Sequence, residues 1–385
     1  MSLLSGVSSA LGYDGKTAEG ATIKIGKYTI TGWERVSIRI GLEIMPWAAM
    51  LETSSWQPTT SGGSTLKINE GDACSILIGK DQVLTGYVQS IAEDIGPEEH
   101  SLRIVATSRS IDAVECSALF STYQMNNTTV LGIAQQVCQQ AGIQVRSIGG
   151  AGDTNIQQFS VILTETAYEV IERATRLAGC LFYDQPDGSI VLAPLGTKNV
   201  GSLTMGKNIE RMSVLRSLSG RYSTVQAIIQ NMAVLFTPPD DGNKQTQQMQ
   251  AQTAPVQASA NDGGVKRSRT LLIPVETGDA DYAVARQRVQ WEVARRYGRS
   301  QVTEVTTDSW RDSNGHLWQP NTLCTISRPQ TGFKAVLLIA EIEFVQGDMG
   351  THANLVLMPP QAFKPQPLVL PLAQSEGVAA ATRNS

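Results

Sequence analysis

The sequence predicts an α+β protein that is mainly β, with two similar antiparallel β-barrel-like domains and a small α/β domain inserted between them. Three observations predict it. Apolar residues alternate at period two near both ends of the chain, the period becomes helical between about residues 110 and 185, and the late strands repeat the order and turns of the early ones. The length, 385 residues, suits two or three domains with substantial cores.

Ile23 and Ile25, then Val36, Ile38, Ile40, Leu42 and Ile44, share one face. Ser37, Arg39, Gly41 and Glu43 fill the other, and Gly26 and Gly32 punctuate the approach. Further strands are predicted over 74–78, 83–91 and 102–106, with turns at 79–82 and 96–99. These assign 1–108 to a first barrel-like domain.

The α/β insert is expected over 109–185. Thr128 is the expected N-cap of a helix carrying Val130, Leu131, Ala134, Val137 and Cys138 at helical spacing, stopped by Gly142. A second helix is expected to start near Thr164 and end at Gly179. A hairpin then pairs 180–183 with 189–192 across Asp184 to Gly188.

The second barrel-like domain is expected from 186–236 and 300–358. Between its parts, 237–299 reads as a flexible Gln-rich loop followed by a single helix over 281–297, and 359–385 as a Pro-rich tail. At an offset near 250, DACSIL falls on TLCTIS, YVQSIAEDI on LIAEIEFV and HSLRIVA on HANLVLM. Cys74 thereby meets Cys324, and His100 meets His352. A chain holding one barrel twice presents six similar units when three copies surround an axis.

Charge excludes little but orders the rest. Lys plus Arg number 31 against 35 Asp plus Glu, so no overall basic field argues for nucleic acid or an anionic membrane, and partners are expected to be proteins. Charged residues are only 17% of the chain, which suits large, weakly charged contacts. Cys74, Cys116, Cys138, Cys180 and Cys324 are widely spaced without a CxxC pair, so they are expected to be reduced core thiols. No secretory signal and no apolar run of roughly 18 residues is present, so a protein made in a cytoplasm without membrane insertion is expected.

The runs GKYTITGWERVSIRIGLEI and INEGDACSILIGKDQVLTGYVQSI, followed by TTVLGIAQQVCQQAG and TAYEVIERATRLAGCLFYDQPDGSIVL, resemble the Mu-like contractile phage tail baseplate hub proteins. That family is grouped with late-control and valine-glycine-repeat spike-base proteins, and the resemblance spans about residues 20–358. It implies a homotrimeric, pseudo-sixfold ring with the tail tube protein on one face and the central spike protein on the other. Other baseplate proteins would surround it, DNA would pass transiently through it at genome ejection, and it would reside in the virion after assembly in the bacterial host cytoplasm. The stretch Thr237 to Gly264 has no counterpart in the pattern. No interface residue is assigned by the resemblance.

Catalytic, cofactor-binding and metal sites are all expected to be absent. His100, His316 and His352 are the only histidines, and none has metal-ligand spacing. RDSNGHLW has the start of a calcium loop without its closing carboxylate and reads as a tight turn. The carboxylates Glu93, Asp94, Glu98 and Glu99, and Asp240 with Asp241, read as turn tips. Arg286, Arg288, Arg295 and Arg296, with Lys266, Arg267 and Arg269 before them, form the one basic concentration, read as solvated or protein-contacting. Two alternatives share these residues: a spike-base protein of a secretion system or tail-like bacteriocin, and a baseplate-associated cell-wall hydrolase, which would need two carboxylates at a set separation.

Overall fold

The protein is described from a computed structural model covering residues 20–54, 68–96, 100–119, 122–229, 256–275 and 282–366. Alternating apolar residues form strands β1 (Ala21–Ile25), β2 (Tyr28–Ile30), β3 (Arg35–Gly41), β4 (Ala48–Thr53), β5 (Ala73–Ile78), β6 (Asp81–Ile95) and β7 (His100–Ser108). The middle of the chain contains α1 (Ile111–Glu115), β8 (Gln124–Thr129), α2 (Val130–Cys138), β9 (Val145–Ser147), β10 (Asn155–Ser160), α3 (Ala167–Ala178), β11 (Leu181–Asp184) and β12 (Ile190–Ala193). Then come β13 (Asn199–Thr204), β14 (Arg211–Arg216), β15 (Thr224–Ile229), β16 (Val256–Asn261), β17 (Thr270–Val275) and α4 (Tyr282–Arg299). The last strands are β18 (Gln301–Thr307), β19 (Thr322–Arg328), β20 (Phe333–Gly347) and β21 (Gly350–Met358).

The period-two strands of both halves join one 13-stranded sheet, in the order β14-β18-β21-β20-β3-β4-β7-β6-β5-β1-β2, with β19 beside β20 and β13 beside β19. The fold is accordingly mainly β within the α+β class. The two repeats meet where β3 pairs antiparallel with β20, Ile38 opposite Phe344 and Ile40 opposite Ile342. One continuous apolar cluster underlies both, including the fully enclosed Ile23, Ile38, Leu51, Ile76, Ile104 and Phe344. Each such side chain contributes about 1.5–3 kcal/mol. Trp33, Trp47, Trp310 and Trp318 are buried in this cluster, whereas Trp56 lies outside the described residues. The indole N–H of Trp47 donates to Gly41 O at 2.9 Å and that of Trp310 to His352 O at 2.9 Å, so these aromatics enter the core with a polar partner.

The repetition read from the sequence is present in the hydrogen-bond register. β6 and β20 have 15 residues each, β7 and β21 nine each. In the first repeat Val88 pairs with Ala106 and Ser90 with Val105, leaving Gln89 as a bulge. In the second, Ile339 pairs with Leu357 and Glu341 with Val356, leaving Ala340. Both pairs are displaced by 251 positions, so the bulge itself is repeated. Carried across the sheet, this makes β5, β6, β7, β4 and β3 the counterparts of β19, β20, β21, β18 and β14, with Cys74 and Cys324 each opposite a counterpart residue, Gly86 and Leu337.

The α/β insert packs α2 and α3 on the sheet β11-β12-β9, with β8-β10 beside them. Thr129, one residue after the expected Thr128 and the last of β8, caps α2, its hydroxyl accepting from Gly132 N. α3 begins after Thr166, not Thr164. Thr166 and Glu169 form a reciprocal capping box, while Thr164 sits at φ +77°, incompatible with a helix, and Gly179 closes the helix at φ +62°. β12 also differs from expectation. Its Ile190 and Leu192 lie in the insert's core, although the sequence pattern assigns residue 186 onward to the second barrel. The parallel pairing of β12 with β9 explains the difference, since that partner is some 45 residues away and invisible to local pattern.

The expected loop over 237–299 is corrected at 256–275. There β16 and β17 flank β15 in a three-stranded sheet, β17 parallel to β15, and α4 packs on it through Ala285 and Val289. VQASAN has too few large apolar residues to show alternation, which hid the strand. The Gln-rich run itself, 230–255, lies outside the described residues.

Candidate assembly interface

The two repeats use equivalent strand edges unequally. On its edge away from β21, β20 is filled along its length: Phe333 to Ile339 pair with β19, and Glu341 to Gln346 pair with β3. On the equivalent edge of β6, Asp81 to Tyr87 pair with β5. From Ser90 to Ile95 no strand among the described residues takes the place that β3 takes on β20. Reciprocally, β14, the counterpart of β3, pairs with β18 on one side and with no described strand on the other. Exposed apolar side chains gather at these two edges: Ile95 is 63% exposed, Leu215 61% and Val214 41%. An open apolar edge is a template for another strand.

The insert is fastened to the first repeat by one buried carboxylate. Asp184, 1% exposed, sits at the end of β11. Its Oδ2 accepts from Trp47 N at 2.9 Å, Ser108 Oγ at 2.5 Å and Ser110 Oγ at 2.7 Å. Burial pushes its pKa up, and the bonds from Ser108, Ser110 and the Trp47 amide oppose that rise. In the sequence this residue reads only as the first position of a turn.

Most of the basic stretch around α4 is held in protein contacts, while Arg286, Lys266 and Arg267 stay exposed. Arg288 and Arg295 stack on Trp291 at 4.7 and 5.4 Å, Arg296 bonds Glu292 at 2.7 Å, and Arg299 pairs with Glu43 and lies over Phe363. Arg269 stacks on Tyr222 and bonds Leu218 O. In the RDSNGHLW turn the Asp312 carboxylate accepts from the backbone N–H groups of Asn314 and His316, which leaves it a turn-former. His352 Nδ1 lies 2.9 Å from a Glu210 carboxylate oxygen, His316 is exposed, and the side chain of His100 lies outside the described residues. Glu93 and Asp94 point to opposite faces of β6, while Glu98, Glu99, Asp240 and Asp241 lie outside the described residues.

Four cysteines are buried and unpaired, but Cys116 is exposed at the end of α1, which corrects the expectation of five core thiols. Among the described residues no group of three or more His, Cys, Asp or Glu is assembled for a metal. No described helix is long and apolar enough to cross a membrane. A shallow, open depression beside α2 is lined by Gln135, Gln136, Gln139 and Gln144, with Arg146 as its titratable group. Amides at that density give no acid–base pair.

Comparisons with known proteins agree in sequence order. Residues 21–108 match the N-terminal domain model of Mu phage baseplate assembly protein GpP-like proteins, 110–194 the second domain of baseplate hub protein gp44-like proteins, and 281–366 the fourth domain of Mu phage baseplate assembly protein GpP. Baseplate hub protein gp44 of Escherichia phage Mu is 24% identical over 348 residues, 89% of this chain and 88% of that protein. The crystal structure of the 43 kDa tail protein of prophage MuSo2 from Shewanella oneidensis superposes with a TM-score of 0.75 at 26% identity, covering 91% of this chain and 100% of that one. A tail protein from Neisseria meningitidis shares the fold, with a TM-score of 0.71 at 18% identity over 90% of this chain and 98% of that one. With three domain models in register, a relative matched along most of both chains and a repeated sheet built from the strands that carry the resemblance, the chain belongs to the Mu-like phage tail baseplate hub family.

Proposed function

We propose that this chain is the hub of a contractile phage tail baseplate, a virion protein whose work is mechanical. Three copies close a ring that joins the tail tube to the central spike and leaves an axial channel for DNA. One observation carries the reading: within a chain the β3 edge is joined to β20, while the equivalent β14 edge and the equivalent half of β6 stand open among the described residues. Transferring the β3–β20 register to a second copy places Met212 opposite Ile95, Val214 opposite Glu93 and Arg216 opposite Ile91. It covers Val214 and Ile95 and sets Arg216 diagonal to Glu93, and Arg211 diagonal to Asp94, within cross-strand reach.

The joint is head-to-tail, so copies close a ring or run on as a filament. The path from β14 to β6 has eight strands, and three copies give 24. At about 4.8 Å per strand and about 40° tilt the backbone circle is roughly 48 Å across, and side chains leave a channel of roughly 35 Å. The hydrolase alternative finds no support in the chemistry above. Against a secretion-system role stands the kind of protein that shares sequence along most of the chain: a phage Mu hub and a prophage tail protein.

Mass photometry tests the ring. Wild type is expected at three times the chain mass, and Val214→Asp with Ile95→Asp, which set like charges against and beside Glu93 and remove the apolar contact of Ile95 with Met212, as monomers with unchanged circular dichroism. A wild type that stays monomeric at high concentration, without rings by electron microscopy, contradicts the reading.

A further inference from the structure

Among the described residues the sheet has one face covered and one bare. Tyr183 and Val191 of the insert, and Ala362 and Phe363 beside α4, belong to the same apolar cluster as the covered face, so the bulk of the chain lies on that side. Closing the sheet into a ring leaves that bulk no room at the axis, and the bare face must turn inward. This inference rests on the ring proposed above.

The arginines of the bare face are each set among carboxylates. Arg35 and Arg103 both reach Glu52, at 3.6 and 3.3 Å, and Arg39 reaches Glu341 at 3.6 Å. Arg211 lies diagonal to Glu304, across the strand pair in which Ser213 faces Glu304, and the proposed joint adds Asp94 of the next copy. Glu343, facing Arg39 across the β3–β20 pair, accepts from Ser37 Oγ at 2.7 Å and from Asn354 Nδ2 at 3.1 Å. Along the eight strands from β14 to β6, with β20 and β6 counted beyond their bulges, this face holds four arginines and five carboxylates, a net charge of 4 − 5 = −1 per chain.

We propose that this face is the channel wall and is charge-matched so that a polyanion passes without being held. Affinity for a nucleic-acid backbone comes from cations that displace its counterions, and it grows with the number of phosphates neutralised. Twelve unpaired arginines in a ring would grip a duplex tightly. Arginines already facing carboxylates displace few counterions, and the slight acidic excess opposes binding. The arrangement gives the wall polar, hydrated groups for lubrication while removing its hold.

The test uses the full chain and a mixed-sequence DNA duplex, with fluorescence anisotropy at low and moderate salt after the mass of each protein has been measured. Glu52→Gln, Glu341→Gln and Glu343→Gln together change the face to 4 − 2 = +2 per chain. The wild-type ring is expected to show no binding, and the triple-variant ring to bind at about 50 mM salt with at least about tenfold loss by about 200 mM. Adding Arg35→Gln and Arg39→Gln to the triple variant is expected to abolish that binding. Should the triple variant fail to assemble, Glu341→Gln alone is expected to give a weaker gain in the same direction. Duplex held by the wild-type ring at moderate salt, a variant ring that binds no better than wild type, or binding that survives the added arginine changes overturns the proposal. A wild type that is monomeric by mass removes the channel itself, which separates failure of the ring from failure of the wall.

Discussion

Replacing Asp184 should open the junction between insert and sheet, and the size of the effect follows from its three bonds. Hydrogen bonds to a charged acceptor contribute about 1.5–3 kcal/mol each, so the bonds from Trp47 N, Ser108 Oγ and Ser110 Oγ amount to about 4.5–9 kcal/mol gross. Against this stands the several-kcal/mol cost of burying the carboxylate, which Asp184→Ala relieves. Ser108 and Ser110 also keep their mutual bond at 2.9 Å, and Trp47 N keeps Ser108 Oγ at 3.0 Å. The net loss is expected to be about 3 kcal/mol. Because the described residues form three separate apolar cores, local hydrogen exchange of the peptide holding Trp47 is a better assay than a single unfolding free energy. A loss of that size accelerates exchange about 100-fold.

The pH dependence has a definite sign. Asp184 titrates higher in the folded protein than its ordinary 3.8, so the fold binds its proton more tightly than the unfolded chain does. This contribution is fully present below the ordinary value and is lost as pH rises through the folded one. Asp184→Asn does not titrate, so its deficit relative to wild type must shrink as pH rises across that window. Exchange accelerated less than about fivefold in Asp184→Ala, or a difference between wild type and Asp184→Asn that grows as pH rises above the ordinary carboxyl range, refutes the account.

Two further outcomes are expected. A Cβ at Gly86 would fall 1.7 Å from Thr107 O, so Gly86→Ala should cost at least about 2 kcal/mol, visible as faster hydrogen exchange of the β6 and β7 amides around it; unchanged exchange would show that the strands can part there without cost. Burial pushes the thiols of Cys74, Cys138 and Cys324 up to about 12 and that of Cys180 up to about 11, whereas Cys116 is exposed. A thiol reagent at neutral pH should therefore modify one cysteine per native chain and all five after denaturation, and a second rapid native reaction would contradict the burial.

Strands are legible in the sequence wherever one face meets the core and the other meets water, because period-two alternation is then obligatory. β3, β5, β7 and β21 show it plainly. β16 does not, since Ala and Ser carry too little contrast, and β12, buried at all four positions, has no period at all. Pairings between distant strands leave no local trace, which is why the parallel β9–β12 contact and the β3–β20 seam surface only in three dimensions. Asp184 is hidden for a related reason: in sequence it stands beside a DG turn, and its partners lie 74 to 137 residues away. The repeat is visible because Cys74 and Cys324, and the strands around them, keep both order and spacing; the matched bulges explain why, since a bulge fixes register and an insertion beside it would turn every following side chain to the wrong face.

The two edges that carry the proposed ring could not have been found from the repeat in sequence, because there the repeats differ where their surroundings differ. Val36, Ile38 and Ile40 of β3 are buried beside a strand from the same chain, whereas of their counterparts in β14 Met212 is only partly covered and Val214 and Arg216 are exposed. A strand closed within the chain must be apolar to hold the core. A strand closed by another copy has to survive in water before assembly, so it tolerates an arginine where its counterpart has isoleucine and confines its exposed apolar surface to a short edge. The same reasoning applies to β6, whose Glu93 stands where Phe344 stands in β20. Setting Arg216 diagonal to Glu93 across the joint then replaces a hydrophobic contact by a charged one, which stays solvated while the copies are apart and selects the correct register once two of them meet.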